Sequence, residues 1–312
     1  MREKSILISL IVPVFNEEHC VEAFLDEVDR QVPEEENLTR EIVFVDDGST
    51  DGTVDRLAEL KQTHEGVRII CLSRNFGKEA ALTAGLDHCR GDVAVPIDVD
   101  LQEPPALIRD FLREWRNGYD VVYAVRADRR SDGLLKRSSA GAFYRVFNRI
   151  SQTRIPPNVG DFRLLDRRVV EEVCRLRERS RFMKGLLNWP GFKATGVSFD
   201  RPARSSGQSG WGFLKLWRLA LDGIFSFSSA PLKVWAYVGL LISLVSMVYG
   251  LYIVGLKLIY GIDVPGYSSI IVAVTVLGGL QLMSLGIIGE YLSRIFDEIK
   301  QRPIYVVDRI VE

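Results

Sequence analysis

The sequence DVAVPIDVDLQEPP, residues 92–105, joins a run of β-forming residues to a turn that carries two aspartates. Asp92–Ile97 is rich in valine, which favours a strand, and the two prolines open a helix-like stretch over Pro104–Asn117. Asp98 and Asp100 follow the strand, and the period of two in an extended chain points both carboxylates the same way. A strand that leads through a polar turn into a helix is the repeating unit of an α/β fold.

The same rhythm of strand and helix extends on both sides of this stretch. Further strands are predicted at Ser5–Val12, Glu41–Val45, Val67–Leu72 and Asp120–Ala124, and further helices at Glu17–Gln31, Asp51–Gln62 and Lys78–His88. This pattern predicts an α/β domain with a mostly parallel sheet that helices cover on both faces. Ligands of such sheets bind at the carboxyl ends of the strands, where the acidic turns of this chain lie.

The composition argues against several functional classes. The formal net charge is −1 over 312 residues, which gives no reason to expect nucleic-acid binding. Cys20, Cys71, Cys89 and Cys174 form no CxxC pair and the three histidines are scattered, so neither a disulfide framework nor a histidine-ligated metal is expected. Met1–Ser5 lacks the layout of a signal peptide, which predicts that the α/β domain is cytoplasmic.

Two long apolar segments follow the α/β region. Val234–Leu256 has 23 residues without a charge and Val264–Gly289 has 26, whereas about 20 apolar residues cross a bilayer core. They predict a two-helix transmembrane hairpin rather than two buried core helices. Ser246, Gly250 and the glycines of the second segment predict close packing of the two helices. Basic residues before the first segment and after the second predict that both ends face the cytoplasm.

Four parts of the chain are therefore predicted. They are an α/β domain over residues 1–211, an amphipathic juxtamembrane helix over 212–231, the hairpin over 232–292 and a cytoplasmic tail over 293–312. The fold class is α/β with two membrane helices appended.

Asp98 and Asp100 are the strongest local indication of chemistry. Two carboxylates at the open end of a strand repel each other unless a cation or hydrogen-bond donors lie between them. A hard divalent ion, completed by substrate phosphates and water, is the natural partner, and Gln102 adds a neutral oxygen at the next matching position. The alternative is a solvated loop.

Two further polar turns follow strands. The sequence VDDGSTDGT, residues 45–53, places Asp46 and Asp47 where a carboxylate can accept hydrogen bonds from a nucleobase or ribose. In PVFNEE, residues 13–18, Phe15 is suited to line a base pocket. Both turns are also compatible with a purely structural role.

Together and in this order, these motifs resemble the nucleotide-sugar-binding half of family 2 glycosyltransferases, which have the GT-A fold. RNFGK at residues 74–78 and DxDxQxPP at 98–105 are similar to the polyprenyl-phosphate glycosyltransferases, which include dolichyl-phosphate mannose synthase. GDFRLLD at residues 160–166 and the hairpin also match, so the resemblance covers essentially the whole chain. The likeness is greatest to bactoprenol glucosyltransferases of the GtrB type.

The resemblance implies roles for individual residues. Those implied to hold the sugar donor are Pro13, Phe15, Glu17, Val45, Asp46, Asp47, Asp98, Val99 and Arg204. Those implied to hold Mg²⁺ or Mn²⁺ are Asp100 and Gln102. Those implied to meet the acceptor phosphate are Arg126, Arg137 and Arg163, although for the first two exposed solubilising charge is the alternative.

Asp161 is the candidate catalytic base by resemblance, with Asp98 beside the reacting groups. A phosphate monoester has a second pKa of about 6, so much of the acceptor is already a dianion at neutral pH. Such a nucleophile needs desolvation and alignment more than deprotonation. We therefore hypothesise that Asp161 orients the acceptor or the sugar, in a single in-line displacement with inversion.

The resemblance implies transfer of a hexose, with glucose from UDP-glucose preferred, to undecaprenyl or dolichyl phosphate at the inner (plasma) membrane. GDP-mannose, UDP-N-acetylhexosamine and a modified arabinose donor are alternatives, and a homotetramer is compatible with the resemblance. A processive polysaccharide synthase is disfavoured, because the chain has no QxxRW motif. The alternative of another class is a non-catalytic nucleotide-binding or lipid-translocating membrane component, against which the complete set of acidic residues argues.

Overall fold

The computed structural model describes residues 5–32, 37–126, 156, 159–179, 181–199, 228–260 and 266–312. Within these ranges the strands are β1 (Ile6–Val14), β2 (Leu38–Asp46), β3 (Val67–Leu72), β4 (Val93–Pro96), β5 (Val121–Arg126), β6 (Val159–Asp166), β7 (Ala194–Phe199) and β8 (Val307–Val311). The helices are α1 (Val21–Gln31), α2 (Thr53–Lys61), α3 (Lys78–His88), α4 (Leu107–Arg116), α5 (Arg167–Arg175), α6 (Met183–Leu186), α7 (Ala230–Tyr260) and α8 (Tyr267–Ile299).

The strands form one sheet in the order β7-β5-β6-β4-β1-β2-β3-β8. The four central strands β4, β1, β2 and β3 run parallel to one another, whereas β6 runs antiparallel to β4 and β5, and β8 runs antiparallel to β3. This mixed sheet confirms the predicted α/β class. The first five strands and four helices lie within a few residues of their predicted positions.

The central strand β1 shows why the sheet is covered on both faces. Leu10 and Val12 pack in one core cluster with residues of α1 and α4, while the intervening Ile11 packs in a second cluster with residues of α3 and α5. All three side chains are fully buried. A strand buried on both sides needs a continuous apolar run, which explains the sequence ILISLIVPV.

The helices α7 and α8 are long and apolar enough to cross a membrane. Their apolar stretches, Ala230–Leu256 and Ser269–Ile299, have mean hydropathies of 2.1 and 2.2. The prediction that glycines bring these helices together is wrong within this chain. A Cβ atom added at Gly250 or Gly278 would meet no atom of another described element within 4 Å. The two helices therefore make no close contact at these glycines.

The tail predicted over residues 293–312 is ordered against the α/β domain. It contains the end of α8 and the edge strand β8. The hydroxyl of Tyr305 donates to Asp87 at 2.7 Å, and Glu312 forms an ion pair with Arg90 at 2.6 Å. A guanidinium nitrogen of Arg179 lies 3.2 Å from the carboxylate of Glu298 on α8. The membrane hairpin is therefore an insertion between two strands of one sheet.

Several predicted features lie outside the described residues. They are most of the amphipathic helix at 212–231, the side chain of Arg126, and Arg137 and Arg204.

Candidate active site

The strand β1 marks the point where strand order reverses. The chain proceeds from β1 through β2 to β3 on one side, and β4 lies on the other side. Sheets of this kind bind ligands in the crevice that the reversal leaves at the carboxyl ends of the strands. A cavity of about 310 Å³ lies at this point.

The cavity is lined by the last residues of β1 and by residues that follow β1, β2, β3 and β4. They are Pro13, Val14, Phe15, Glu17, Asp47, Asn75, Gly77, Lys78, Ala81, Asp98, Val99 and Asp100. Seven of these were predicted from the sequence, namely Pro13, Phe15, Glu17, Asp47, Asp98, Val99 and Asp100. The lining excludes Val45, Asp46 and Gln102, which were predicted for the same site.

Asp161 is brought to the same edge of the sheet by an antiparallel strand. In the pairing of β6 with β4, Leu165 lies opposite Ala94. Asp161 lies four residues before Leu165 on β6, and Asp98 lies four residues after Ala94, beyond the end of β4. The antiparallel direction of β6 is therefore what joins two acidic residues that are 63 positions apart in the chain.

Lys78 lies between these two carboxylates. Its Nζ atom is 2.7 Å from the carboxylate of Asp98 and 3.6 Å from that of Asp161. Burial acts to lower the pKa of Lys78, but the two carboxylates outweigh it and raise the pKa. The ammonium group therefore stays charged, and it keeps the acidic residues from repelling each other.

Asp161 is held as a carboxylate by its surroundings. Burial acts to raise the pKa of Asp161, but the positive charges of Lys184, Lys78 and Arg163 outweigh it, so the pKa is lowered. Its Oδ1 atom is buried and has no hydrogen-bond partner among the described residues. An ionised group with a lowered pKa is a weak proton acceptor, but it can orient a ligand.

Asp47 fixes the loop that carries Lys78. Its two carboxylate oxygens accept hydrogen bonds from the backbone N–H groups of Phe76 and Gly77, at 2.7 and 2.8 Å. Gly77 has a φ of +97°, which favours glycine, and α3 begins at the next residue. Burial raises the pKa of Asp47 although these two hydrogen bonds act to lower it.

Asp46 is structural. It is 3% exposed, and its carboxylate accepts a hydrogen bond from the backbone of Ser49 at 3.2 Å. Asn16, with a φ of 57°, accepts a hydrogen bond from the backbone of Thr50 at 2.9 Å. These contacts tie the turn after β1 to the turn after β2, and they leave the ring of Phe15 43% exposed at the cavity.

Arg163 has no exposed surface, so in this structure it offers no contact to an acceptor phosphate. Its Nη2 atom donates to the carbonyl oxygen of Gly160 at 2.8 Å. Its charge stabilises the carboxylate of Asp161 two residues away. The structure therefore gives Arg163 a role in supporting Asp161.

Two models of known protein families match this chain. The model of "Glycosyl transferase family 2" matches residues 9–174, and that of the "GtrB C-terminal hairpin" matches residues 230–295. This chain is a family 2 glycosyltransferase. The two matches confirm the resemblance found in the sequence, including its extension to the hairpin.

Full-length relatives support the same assignment. The glycosyltransferase is 46% identical to the bactoprenol glucosyl transferase of Shigella phage SfII over 302 residues, which is 97% of each chain. It is 48% identical to an uncharacterised glycosyltransferase of Synechocystis sp. over 303 residues, 97% of this chain and 95% of the relative. An uncharacterised glycosyltransferase of Bacillus subtilis is 40% identical over 301 residues, 96% and 93% of the two chains.

The hairpin match also bears on location. Two helices that are long and apolar enough to cross a bilayer coincide with a family hairpin. The glycosyltransferase is therefore a membrane-associated enzyme.

Asp100 and Gln102 are the residues of the glycosyltransferase that suit a divalent metal ion. Gln102 donates to Asp100 from its backbone at 3.2 Å and from its side-chain amide at 2.6 Å. No group of three His, Cys, Asp or Glu residues that could hold a metal occurs in the described parts of the chain. Mg²⁺ is commonly held by one or two carboxylates together with substrate phosphates and water. The exposed Asp100 carboxylate fits that requirement, and rotation of the Gln102 amide would turn its oxygen to the same position.

Lys78, Glu79 and Lys184 were not assigned roles from the sequence. Burial, and then the charge of Asp161, raises the pKa of Glu79 to about 7. The backbone N–H of Met183 donates to Glu79, which connects α3 to the segment that carries Lys184. Lys78 and Glu79 lie at the end of RNFGKE, a stretch that already contributed to the family resemblance. The sequence gave no indication of which carboxylates Lys78 and Glu79 would lie near.

Proposed function

We propose that this glycosyltransferase transfers glucose from UDP-glucose to a polyprenyl phosphate, with inversion at the anomeric carbon. The observation that carries the proposal is the Asp98–Lys78–Asp161 set beside the cavity at the strand reversal. The choice of acceptor is supported by end-to-end similarity to a protein named as a bactoprenol glucosyl transferase. Another hexose donor, such as GDP-mannose, UDP-N-acetylhexosamine or a modified arabinose nucleotide, is the alternative for the same site.

The sugar donor is proposed to bind in the cavity, with its base near the exposed ring of Phe15 and its diphosphate near Asp100. Asp47 contributes mainly by fixing the backbone at Phe76 and Gly77 beside the cavity, because both of its oxygens already accept hydrogen bonds from these two residues. Arg204 is proposed to contact the donor phosphates, as the family resemblance implies.

Asp100 and Gln102 are the residues proposed to hold Mg²⁺ or Mn²⁺. When bound, such an ion would supply electrostatic stabilisation to the departing nucleoside diphosphate. The charge of Lys78 is available beside it, on the side where Asp161 lies.

Asp161 is proposed to position the reacting groups rather than to remove a proton. Its pKa is lowered by Lys184, Lys78 and Arg163 against the effect of burial, so it is a weak base at neutral pH. The dianionic acceptor phosphate would be repelled by an isolated carboxylate, but Lys78 and Lys184 offset that repulsion. Alignment and charge neutralisation then account for the rate.

The acceptor reaches the site from the membrane in this proposal. The hydroxyl of Tyr291 on α8 donates to the carbonyl oxygen of Ser228, before α7, at 2.7 Å, so both open ends of the hairpin lie together. The α/β domain contacts the same end of α8 through Arg179 and Glu298. These contacts support a hairpin whose two ends face the cytoplasm, on the same side as the catalytic α/β domain. We further propose that Arg126 and Arg137 contact the acceptor phosphate. A homotetramer is also part of the proposal.

The test is an incubation of the purified full-length enzyme with undecaprenyl phosphate and a panel of nucleotide sugars, with Mg²⁺ or Mn²⁺ present. We expect a lipid product whose mass shows one added hexose with UDP-glucose. If a product forms only with another nucleotide sugar, that sugar would replace glucose in the proposal. Absence of any glycolipid across the panel, in a preparation that binds nucleotide, would favour the non-catalytic alternative.

A further inference from the structure

The segment RNFGK, residues 74–78, separates two cavities. On one side it lines the 310 Å³ cavity at the strand reversal. On the other side it lines a second cavity of about 610 Å³, whose opposite wall is the polar end of α8 and the segment that follows it. Gly77 and Lys78 line both cavities. The second cavity therefore opens beside the ammonium group that contacts Asp98 and Asp161.

The second cavity, which we call the basic cleft, carries an excess of positive charge. Seven basic and three acidic side chains line it. Some of the basic groups are already paired, since Arg179 meets Glu298 at 3.2 Å and Arg294 meets Glu290 at 2.8 Å. The remaining charge makes the cleft attractive to an anion that carries more than one negative charge.

Arg74 and Arg302 lie at the cleft and form no ion pair with a carboxylate in the described part of the chain. The guanidinium of Arg74 stacks on the ring of Phe76, with its carbon 4.0 Å from the ring centre, and donates to the carbonyl oxygen of Asn75 at 3.0 Å. This stacking holds one flat face of the guanidinium and leaves further N–H groups for a ligand. Arg302 approaches from the opposite wall, after α8 has ended.

The position of α8 indicates what kind of anion enters. Glu290, Ser293, Arg294 and Asp297 line the cleft, whereas the opposite face of the same turns carries apolar side chains. Those side chains are Leu292, Ile295, Phe296 and Ile299, and they are 52–71% exposed. An apolar stripe of this kind is unfavourable in water and suits the membrane interface. This stripe beside the cleft supports a location of the cleft at the membrane interface.

We propose that the basic cleft receives the phosphate of the lipid acceptor and delivers it to Lys78, an inference that rests on the proposed function. The acceptor tail stays in the bilayer while its phosphate monoester exchanges between Arg302, Arg74 and Lys78. The same chemistry, a lipid-borne phosphate, is also offered by anionic phospholipids of the bilayer. The continuity of the cleft with the reaction centre favours the acceptor.

The test uses the full-length enzyme in a neutral detergent, with UDP-glucose and a short, water-soluble isoprenoid monophosphate. We compare the double variant Arg74→Gln, Arg302→Gln with Arg175→Gln, a matched control whose side chain is 73% exposed and lines neither cavity. We expect the KM for the isoprenoid phosphate to rise about tenfold in the double variant, equivalent to about 1.4 kcal/mol. The KM for UDP-glucose should not change, and the control should match the wild type. An unchanged acceptor KM in the double variant overturns the proposal.

Two further arms separate the possible ligands. In vesicles of phosphatidylcholine with and without phosphatidylglycerol, a defect that appears only when phosphatidylglycerol is present would assign the cleft to bulk phospholipid and overturn the proposal. Direct binding of the isoprenoid monophosphate, measured against the matching isoprenoid alcohol, needs no sugar transfer. If no nucleotide sugar supports transfer but the double variant still binds the monophosphate more weakly than the wild type, then the proposed function fails and the phosphate site stands.

Discussion

Two pairs of aspartates lie at the same edge of the sheet, and the structure gives them opposite environments. Asp46 and Asp47 at the end of β2 are each 3% exposed, and their oxygens accept hydrogen bonds from backbone N–H groups. Asp98 and Asp100 after β4 are open to the cavity, and their partners are the side chains of Lys78 and Gln102. The difference arises because the segment RNFGK covers the end of β2, whereas the end of β4 faces the cavity. An acidic turn after a strand therefore stabilises the fold where the chain covers it, and stays accessible to a ligand where the chain does not.

The largest effect is expected at Asp98 and Asp100, which we call the open pair. Asp100→Ala should lower glycolipid formation by at least about 100-fold, because loss of one preorganised electrostatic group costs roughly 10²–10³ in rate. Its thermal stability should be unchanged, since among the described residues the Asp100 carboxylate accepts hydrogen bonds from the neighbouring Gln102 alone. The rate is measured with saturating UDP-glucose and lipid phosphate, and unfolding by intrinsic fluorescence.

Asp110→Ala is the matched control for that variant. Asp110 is 40% exposed on α4, where it pairs with Arg113, and it lines neither cavity. We expect wild-type activity from it. Retention of activity by Asp100→Ala would remove the proposed chemical role of the open pair.

A smaller effect is expected at Asp46 and Asp47, which we call the covered pair, and it should appear in the free energy of unfolding. Asp47→Ala leaves the N–H groups of Phe76 and Gly77 without acceptors in a partly buried place, which should cost on the order of 3 kcal/mol. Activity should fall with it, because the loop also carries Lys78. Thermal unfolding of the detergent-solubilised enzyme measures the change.

Asp98→Ala is the comparison that decides whether the two pairs differ. It removes a half-exposed ion pair with Lys78, which contributes little to folding. We expect lost activity with nearly unchanged unfolding. Equal destabilisation by Asp47→Ala and Asp98→Ala would show that the covered and open pairs are not distinct.

The last effect concerns the pH dependence of stability and is expected at Glu79, which lies next to Lys78. Its pKa is raised to about 7 by burial and by Asp161, whereas an unfolded chain releases this proton near pH 4.3. The folded enzyme therefore binds more protons than the unfolded chain between about pH 4.3 and 7, and its stability falls as pH rises through that window. The loss should be on the order of 3 kcal/mol.

Glu79→Gln should remove this dependence, so the variant should gain stability relative to the wild type at pH 8 and not at pH 4. Glu172→Gln, at a 45% exposed site that pairs with Arg175, serves as the control. The measurement is thermal unfolding across the pH range. Identical pH dependence in wild type and Glu79→Gln would assign the effect to other groups.

Local sequence was sufficient for the parallel half of the fold. The runs around β1 to β4 are apolar enough to be buried on both faces, so their positions and the cavity at their ends could be predicted. Contacts between distant segments could not. The meeting of Asp161 with Lys78 depends on the antiparallel register of β6. The full burial of Arg163 depends on packing that periodicity does not encode.

The C-terminal strand has a consequence for how the enzyme is made. β8 covers the edge of β3, yet it is synthesised only after both membrane helices. Chains fold from the N-terminus during synthesis, so the β3 edge stays uncovered while the hairpin enters the bilayer. An uncovered edge strand is a template for wrong pairing. Completion of the sheet therefore follows membrane insertion, and a chain that fails to insert exposes the edge that β8 would protect.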